Sequence, residues 1–218
     1  MELELEEFVT DFALGLECAD SRAPVAVNRR SKKPFRPGIG PHSEPDTIEL
    51  VGLELKSLRP AAYGERWHTG VPYGNGTRTE CDVCLGRSPS WDWAIEVKML
   101  RLLGDNGKVD DSALKRILSP YPAHRSALTD VGKLLSSNLG RRRAVLVFGY
   151  DHEDWPMDPT VEAFELLVRN RYSIGSRHEA CFGGLVHPVH REGRVFAWEL
   201  LGGQAAKPRP TKVGKLGS

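Results

Sequence analysis

One uninterrupted apolar run constrains the fold of this chain more than any other feature. Residues 144–150 read Ala-Val-Leu-Val-Phe-Gly-Tyr, and such a run is typical of a central strand that is covered on both faces. Apolar side chains at helical spacing precede this run at 126–139 and follow it at 160–171. A strand flanked in this way by helices favours an α/β domain, in which helices cover a mixed β-sheet.

Length and composition limit the class of protein. The chain has 218 residues, which suits one sizeable domain. We assign that domain to 1–203 and expect the basic residues 204–218 to form a flexible tail. The apolar runs fall far short of the about 20 residues that cross a bilayer, which excludes a membrane protein. The acidic start is unlike a secretory signal, so we expect a cytoplasmic location.

Periodicity and the positions of Gly and Pro predict the remaining elements. The segment 21–43 contains six basic residues, four prolines and no acidic residue, so we expect a basic loop. The segment 59–77, rich in Gly, Pro and Tyr, is expected to form a loop or flap. The predicted helices are 3–16, 111–118, 126–139 and 160–171, and the predicted strands are 48–58, 79–85, 93–100, 144–150 and 194–200.

Three ionisable residues lie in two of these predicted strands. Side chains alternate between the faces of a strand, so Glu96 and Lys98 share one face. If the strands pair, Asp82 lies opposite them. Two carboxylates about 4 to 5 Å apart across a strand pair form an oxygen site that suits Mg²⁺, and the lysine can orient a water. This combination indicates metal-assisted hydrolysis of a phosphodiester.

At these residues the chain resembles the PD-(D/E)xK nuclease superfamily, which includes type II restriction endonucleases and many repair and recombination nucleases. The match consists of Asp82, thirteen intervening residues, and then Glu96-Val97-Lys98. Cys81 stands at the position before the acid, where the family pattern has proline. The resemblance covers 2–150. It implies a restriction endonuclease-like core of helix, three strands, helix and strand (αβββαβ), here with long loop insertions.

The resemblance also implies the roles of individual residues. Asp82 and Glu96 would bind Mg²⁺, with Mn²⁺ as a substitute, and the Val97 carbonyl would be a further ligand. Lys98 would position the attacking water. An acid from the first helix often joins such sites, and Glu17 is the candidate here.

The activity implied by the resemblance is that of a Mg²⁺-dependent DNA endonuclease. Restriction-type, sequence-specific cleavage of double-stranded DNA, leaving a 5′-phosphate, is the favoured subclass. A single-domain nuclease that cuts both strands commonly works as a two-fold dimer, so we expect a homodimer. A repair, recombination or RNA-directed nuclease of the same fold is an alternative, as is a non-catalytic nucleic-acid-binding module.

Local basic patches must provide any attraction to nucleic acid, because the net charge is only +1. The predicted helix after the motif carries Ser126, Asp130 and Lys133 three and four residues apart, so these can face the site together. Lys133 is therefore a candidate second cation. The residues of the basic loop that we expect to contact phosphates are Arg29, Arg30, Lys32, Lys33 and Arg36.

Two competing interpretations remain open at this point. Pro45-Asp46 followed by Glu54-Leu55-Lys56 copies the motif more literally, although its spacing is short and it falls on the predicted strand 48–58. The second concerns zinc. A pair of thiols and a thiol–imidazole pair could together bind Zn²⁺ in a tetrahedral structural site, even when the pairs are far apart in sequence. The residues of that possible site are Cys81, Cys84, His178 and Cys181.

Overall fold

The computed structural model describes residues 3–74 and 79–202. Their centre is a mixed six-stranded sheet in the order β1-β2-β3-β4-β6-β5. Strands β3 and β4 run parallel, and every other neighbouring pair is antiparallel. The strands are β1 (Trp67–Pro72), β2 (Glu80–Arg87), β3 (Ser90–Leu100), β4 (Arg142–Tyr150), β5 (His178–Phe182) and β6 (Gly193–Glu199).

Helices cover both faces of this sheet. The helices are α1 (Leu5–Ser21), α2 (Glu44–Leu58), α3 (Pro60–Tyr63), α4 (Ala113–Leu118), α5 (Ala127–Leu135) and α6 (Asp158–Arg169). On β4, Leu146 and Phe148 join the apolar core under α1 and α2. Val145 and Val147 join the core under α4, α5 and α6. The α/β class with a mixed sheet between helices is thereby confirmed. No helix within 3–74 or 79–202 is both long enough and apolar enough to span a membrane.

The predicted strand 48–58 was wrong, because this segment belongs to α2. The Ser43 side chain accepts a hydrogen bond from the backbone N–H of Asp46 and caps the helix. Ile48, Val51 and Leu55 then fall on one buried face. The three strands before α5 are nevertheless present, since β1 forms within the segment predicted to be a loop.

Other predicted elements differ mainly at their ends. The first helix is confirmed and continues to Ser21, whereas α5 already ends at Leu135. The strand β5 was not predicted, because the sequence His-Glu-Ala-Cys-Phe does not alternate between polar and apolar residues, although its burial does alternate in the structure. The proposed tail 204–218 and part of the expected flap, 75–77, lie outside the described residues.

Strands β2 and β3 separate halfway along their length. Their paired residues run only from Arg87↔Ser90 to Val83↔Ile95. Before Val83, β2 continues to pair with β1, through Val71↔Cys81 and Pro72↔Glu80. The edge of β3 beyond Ile95 is therefore open toward β2. We call this opening, between Asp82 on β2 and Val97 on β3, the fork.

Candidate active site

Side chains, and not a neighbouring strand, bind the backbone of β3 at the fork. The Asp82 carboxylate accepts a hydrogen bond from the backbone N–H of Val97 at 2.8 Å. Two residues further, the Glu44 carboxylate accepts the N–H of Met99 at 2.6 Å. The Val97 carbonyl accepts a hydrogen bond from Lys98 Nζ at 3.0 Å. The fork therefore brings two carboxylates and a backbone carbonyl to one place, and this carbonyl is the one predicted as a ligand.

Glu96 lies at the buried end of this group and is only 1% exposed. Its Oε1 accepts a short hydrogen bond from the Tyr73 hydroxyl and is 2.7 Å from Lys133 Nζ. Burial, together with the negative charges of Asp82 and Asp130, raises the pKa of Glu96 well above its ordinary value. A buried acid in a cleft with a strongly raised pKa is typical of functional sites.

Lys98 is surrounded by acids from three different elements. Its Nζ is 3.2 Å from Glu44 Oε1, 3.1 Å from Asp130 Oδ2 and 3.6 Å from Asp82 Oδ2. Burial alone would lower the pKa of Lys98, but these carboxylates outweigh that effect and raise it. Lys98 is therefore an ammonium ion at neutral pH, which suits it to donate hydrogen bonds and to offset negative charge.

These residues line one cleft of about 650 Å³. Four carboxylates contact two ammonium groups in it, and Glu80, Arg116 and Arg125 add further charges to its lining. One wall comes from α5 and the turn before it. The residues that line the cleft are Glu44, Pro45, Thr79, Glu80, Asp82, Glu96, Lys98, Arg116, Pro122, His124, Arg125, Thr129, Asp130 and Lys133.

The three predicted catalytic residues meet in this cleft. Asp82, Glu96 and Lys98 do so, and the alternation along β3 puts Glu96 and Lys98 on the α5 face as expected. From α5, Asp130 and Lys133 also reach the cleft. The third member of that helical pattern, Ser126, caps α5 instead and donates its hydroxyl to the Ser119 carbonyl.

The acid from a helix that precedes the strands is Glu44, on α2, and not Glu17, on α1. The Glu17 carboxylate accepts the backbone N–H of Gly183 at 2.8 Å, where α1 packs against β5. Glu17 does not line the cleft. The alternative motif of Asp46, Glu54 and Lys56 does not form such a site either. Glu54 lies on α2, and its carboxylate accepts a hydrogen bond from Arg22 at 2.8 Å. Glu44 was missed because it stood next to a segment interpreted as a strand. The signal that could have found it is the cap Ser43 with Pro45 in the first turn.

The predicted phosphate-binding residues of the basic loop lie in a hairpin. Within 26–35 the backbone N–H of Asn28 binds the Lys33 carbonyl at 2.9 Å, and that of Phe35 binds the Ala26 carbonyl at 2.8 Å. We call residues 26–36 the basic hairpin. Its five basic side chains are exposed, and none has an ion-pair partner in 3–74 or 79–202. Those side chains are Arg29, Arg30, Lys32, Lys33 and Arg36.

The base of the basic hairpin is tied to the rest of the domain. The Ile39 N–H binds the Asp20 carboxylate at 2.7 Å, and Arg101 donates to the Gly40 carbonyl at 2.8 Å. Arg101 directly follows β3 and Glu44 begins α2. The basic hairpin therefore joins the domain through residues close in sequence to both the site strand and the site helix.

The thiol and imidazole pairs do not form one zinc site. Cys81 and Cys84 lie on β2, whereas His178 and Cys181 lie on β5. Strands β3, β4 and β6 separate these two strands in the sheet. Four ligands distributed in this way cannot reach one ion, so the possible zinc site suggested by the sequence is not formed.

Three histidines gather beyond the end of β4, a feature that the sequence did not indicate. His187 and His190 are fully buried, and their rings stack 5.0 Å apart. The His190 ring also lies 4.5 Å from the Tyr150 ring and 5.8 Å from the His152 ring. We call His152, His187 and His190 the histidine cluster. Burial, and the charge that His190 would carry, lower the pKa of both His152 and His187.

Comparisons with known proteins add no assignment, since no protein-family model, no curated protein and no solved structure matches the chain. Across the described residues, no group of three or more His, Cys, Asp and Glu side chains is arranged to hold a metal ion. In the cleft, Lys98 and Lys133 lie between the carboxylates. The functional conclusion must therefore come from the geometry and chemistry of the cleft.

Proposed function

We propose that this protein is a Mg²⁺-dependent DNA endonuclease of the restriction type, which hydrolyses phosphodiester bonds in double-stranded DNA. One observation carries the proposal. Asp82, Glu96 and Lys98, which are distant from α2 and α5 in sequence, meet acids from both helices in a single cleft at the fork. The arrangement supports the resemblance to the PD-(D/E)xK nucleases at the residues that define that motif.

The oxygen atoms at the fork fit Mg²⁺, which takes one or two carboxylates and completes its shell with waters and phosphate oxygens. Asp82, Glu96 and the Val97 carbonyl would hold the ion, and Mn²⁺ would substitute. Such a Mg²⁺ site needs only one or two carboxylate side chains, because waters and phosphate oxygens supply the remaining ligands. The raised pKa of Glu96 also fits, because a divalent cation would favour the ionised form of this buried acid beside Asp82.

A bound Mg²⁺ would polarise a phosphoryl oxygen and acidify a water. The protein's own contribution is mainly positioning and charge. Lys98, held as an ammonium by its acidic neighbours, can donate hydrogen bonds to a water or to a phosphate oxygen and can offset the charge that develops there. Glu44 fixes Lys98 from the side of α2, through the 3.2 Å contact.

The basic hairpin supports DNA as the substrate. Its five unpaired, exposed cations are available for phosphate contacts, which supply the salt-dependent part of DNA binding. Cutting both strands of a duplex is commonly done by a two-fold dimer, so we expect a homodimer in solution. Size-exclusion chromatography with light scattering checks this, and a monomeric mass would contradict it.

A non-catalytic nucleic-acid-binding module is the second candidate, and one observation favours it. The ammonium groups of Lys98 and Lys133 already contact the carbonyl of Val97 and the carboxylate of Glu96, so the site is partly neutralised from within. Such a module would use the same cations for binding alone.

One cleavage experiment separates these functions. Supercoiled DNA, linear DNA and RNA are incubated with the wild type and with Glu96→Gln, in Mg²⁺, in Mn²⁺ and in EDTA. Glu49→Gln, an exposed acid on α2 outside the cleft, is the matched control. Discrete DNA fragments that require both metal and Glu96 would support the proposal. A metal-dependent smear would favour a repair-type nuclease, cleavage of RNA alone an RNA-directed one, and no cleavage with any divalent metal the binding module.

A further inference from the structure

Lys133 contacts the carboxylate that the proposed function assigns to the metal. Its Nζ is 2.7 Å from Glu96 Oε1 and 3.0 Å from Asp130 Oδ1. The Tyr73 hydroxyl donates to the same Glu96 oxygen, and Lys133 Nζ lies 5.1 Å from the centre of the Tyr73 ring. One ammonium and one hydroxyl therefore cover the oxygen of Glu96.

The two lysines of the cleft are held very differently. The Lys98 side chain is 10% exposed, and its Nζ has contacts with Glu44, Asp130 and the Val97 carbonyl. The Lys133 side chain is 28% exposed and has ion-pair contacts only with Glu96 and Asp130 among the described residues. Lys133 can therefore leave its position into the cleft, while Lys98 is fixed from several sides.

We propose that Lys133 is a built-in competitor of the divalent cation: it neutralises Glu96 while no metal is bound, and metal binding releases it toward the DNA phosphates. The inference rests on the proposed function and adds a regulation of its site. An ammonium and a divalent cation repel each other strongly when they share one carboxylate oxygen. Metal binding at this oxygen and the Lys133–Glu96 contact therefore compete with each other.

The release couples metal to substrate. A lysine freed from Glu96 remains attached to the α5 wall of the cleft, which also carries Arg125. There its charge is available to a phosphate only when the metal has arrived. Metal and DNA should then promote each other's binding through Lys133, as required of any coupling between two sites.

The first test measures metal binding without DNA. Mn²⁺ binding to the full chain is followed by electron paramagnetic resonance for the wild type, Lys133→Met and Lys133→Arg. We expect Lys133→Met to bind Mn²⁺ at least about fivefold more tightly than wild type, because it keeps the stem of the side chain and loses its charge. Lys133→Arg keeps the charge and should bind Mn²⁺ no more tightly than wild type. Lys115→Met, an exposed lysine on α4 outside the cleft, is the matched control.

The second test measures DNA binding. The salt dependence of DNA binding is compared between wild type and Lys133→Met, in Ca²⁺ and in EDTA. In Ca²⁺ the slope should fall by about 0.9 in the variant, because one phosphate is no longer neutralised. In EDTA the two slopes should coincide, since Lys133 is then engaged by Glu96. If Lys133 had a purely structural role, its replacement by Met would neither tighten Mn²⁺ binding nor lower the salt slope in Ca²⁺ alone.

The outcomes distinguish this inference from the proposed function. If Asp82→Asn abolishes Mn²⁺ binding while Lys133→Met binds Mn²⁺ like wild type or more weakly, the metal site stands and the role of Lys133 is overturned. If Mn²⁺ does not bind and Asp82→Asn makes no difference, the proposed function fails and this inference falls with it. Should Lys133→Met not fold, as judged by urea denaturation, Lys133→Gln gives the same comparison and retains a hydrogen-bond donor for Glu96.

Discussion

The Asp82 carboxylate takes the place of a strand partner for Val97, whose backbone N–H it binds at 2.8 Å. This contact fixes a charged group beside Glu96, whose pKa is raised by burial and, in addition, by the negative charges near it. The position of Asp82 is thus set by the backbone of β3, at a cost in electrostatic repulsion. In many enzymes the arrangement of the active-site residues lowers the stability of the fold in this way.

Replacing Asp82 should therefore change stability and metal binding in opposite directions. Asn keeps an oxygen for the Val97 N–H but removes the negative charge beside Glu96. Without divalent metal, we expect Asp82→Asn to raise the free energy of unfolding at pH 8 by about 1 kcal/mol. Addition of Mg²⁺ should stabilise the wild type and not the variant, because only a ligand that binds the native state shifts the equilibrium. Urea denaturation with and without Mg²⁺ measures both effects. A variant less stable than wild type in EDTA would contradict the repulsion at the fork.

Glu44 should support the proposed cleavage activity although it lies outside the motif. Glu44→Gln keeps an acceptor for the Met99 N–H and removes the charge that holds Lys98, so we expect cleavage to slow by about 10 to 100-fold. Glu44→Ala should also lower the free energy of unfolding by about 1 to 3 kcal/mol, since the Met99 N–H loses its partner. The matched control is Glu17→Gln, at the acid that the sequence predicted and the structure places elsewhere. Equal cleavage rates for Glu44→Gln and wild type would exclude a role for this acid.

The basic hairpin should set the salt dependence of DNA binding. Each of Arg29→Gln, Arg30→Gln and Lys32→Gln is expected to lower the slope of log affinity against log salt by about 0.9 for every phosphate that the side chain neutralises in the wild type. The measurement is fluorescence anisotropy of a labelled duplex in Ca²⁺ at several salt concentrations. Arg87→Gln and Arg171→Gln are suitable controls, because both side chains are exposed and lie outside the hairpin. Equal slopes for the hairpin variants and these controls would remove the hairpin from the DNA interface.

The histidine cluster should make stability depend on pH below neutrality. Burial lowers the pKa of His152 and His187, so the unfolded chain binds more protons than the native protein as pH falls through about 6.5. The free energy of unfolding should then decrease progressively below that pH. The charged and titratable groups facing the cluster are Asp20, Arg36, Arg101, Asp105, Tyr150, Asp151 and Glu192.

His187→Asn tests this dependence directly. The His187 ring accepts hydrogen bonds from the N–H groups of Val189 and His190, and the Asn oxygen can accept in its place without titrating. Urea denaturation between pH 8 and pH 5 should give a shallower loss of stability for the variant. His178→Asn, on β5 outside the cluster, should follow the wild-type curve. Parallel curves for His187→Asn and wild type would show that His187 does not contribute.

The part of the site on β3 could be predicted because it depends on local geometry. Alternation along a strand is fixed by the backbone, so Glu96 and Lys98 had to share a face wherever that strand lay. The helical spacing of Asp130 and Lys133 worked in the same way. In each case one element carries both residues, and no knowledge of how elements pack was needed.

The contribution of α2 could not be found in this way. Its apolar residues were interpreted by composition, which favours a strand, although Ile48, Val51 and Leu55 have helical spacing. Even a correct helix would not have shown that Glu44 reaches Lys98, since 54 positions separate them. That contact depends on the fork, and the fork depends on where β2 stops pairing with β3. Tyr73 and Lys133, which contact Glu96, likewise reach it only through tertiary packing.

The fork has a further consequence, for association between molecules. An unpaired strand edge is a template to which another chain can add a strand, and proteins protect such edges with inward-pointing charges. Here Asp82 and Glu44 occupy the N–H groups of Val97 and Met99, the donors that an incoming strand would need. The acids assigned to the chemistry thus also guard the interior of the sheet against intermolecular β-pairing, and a variant that loses both would expose a place for aggregation to begin.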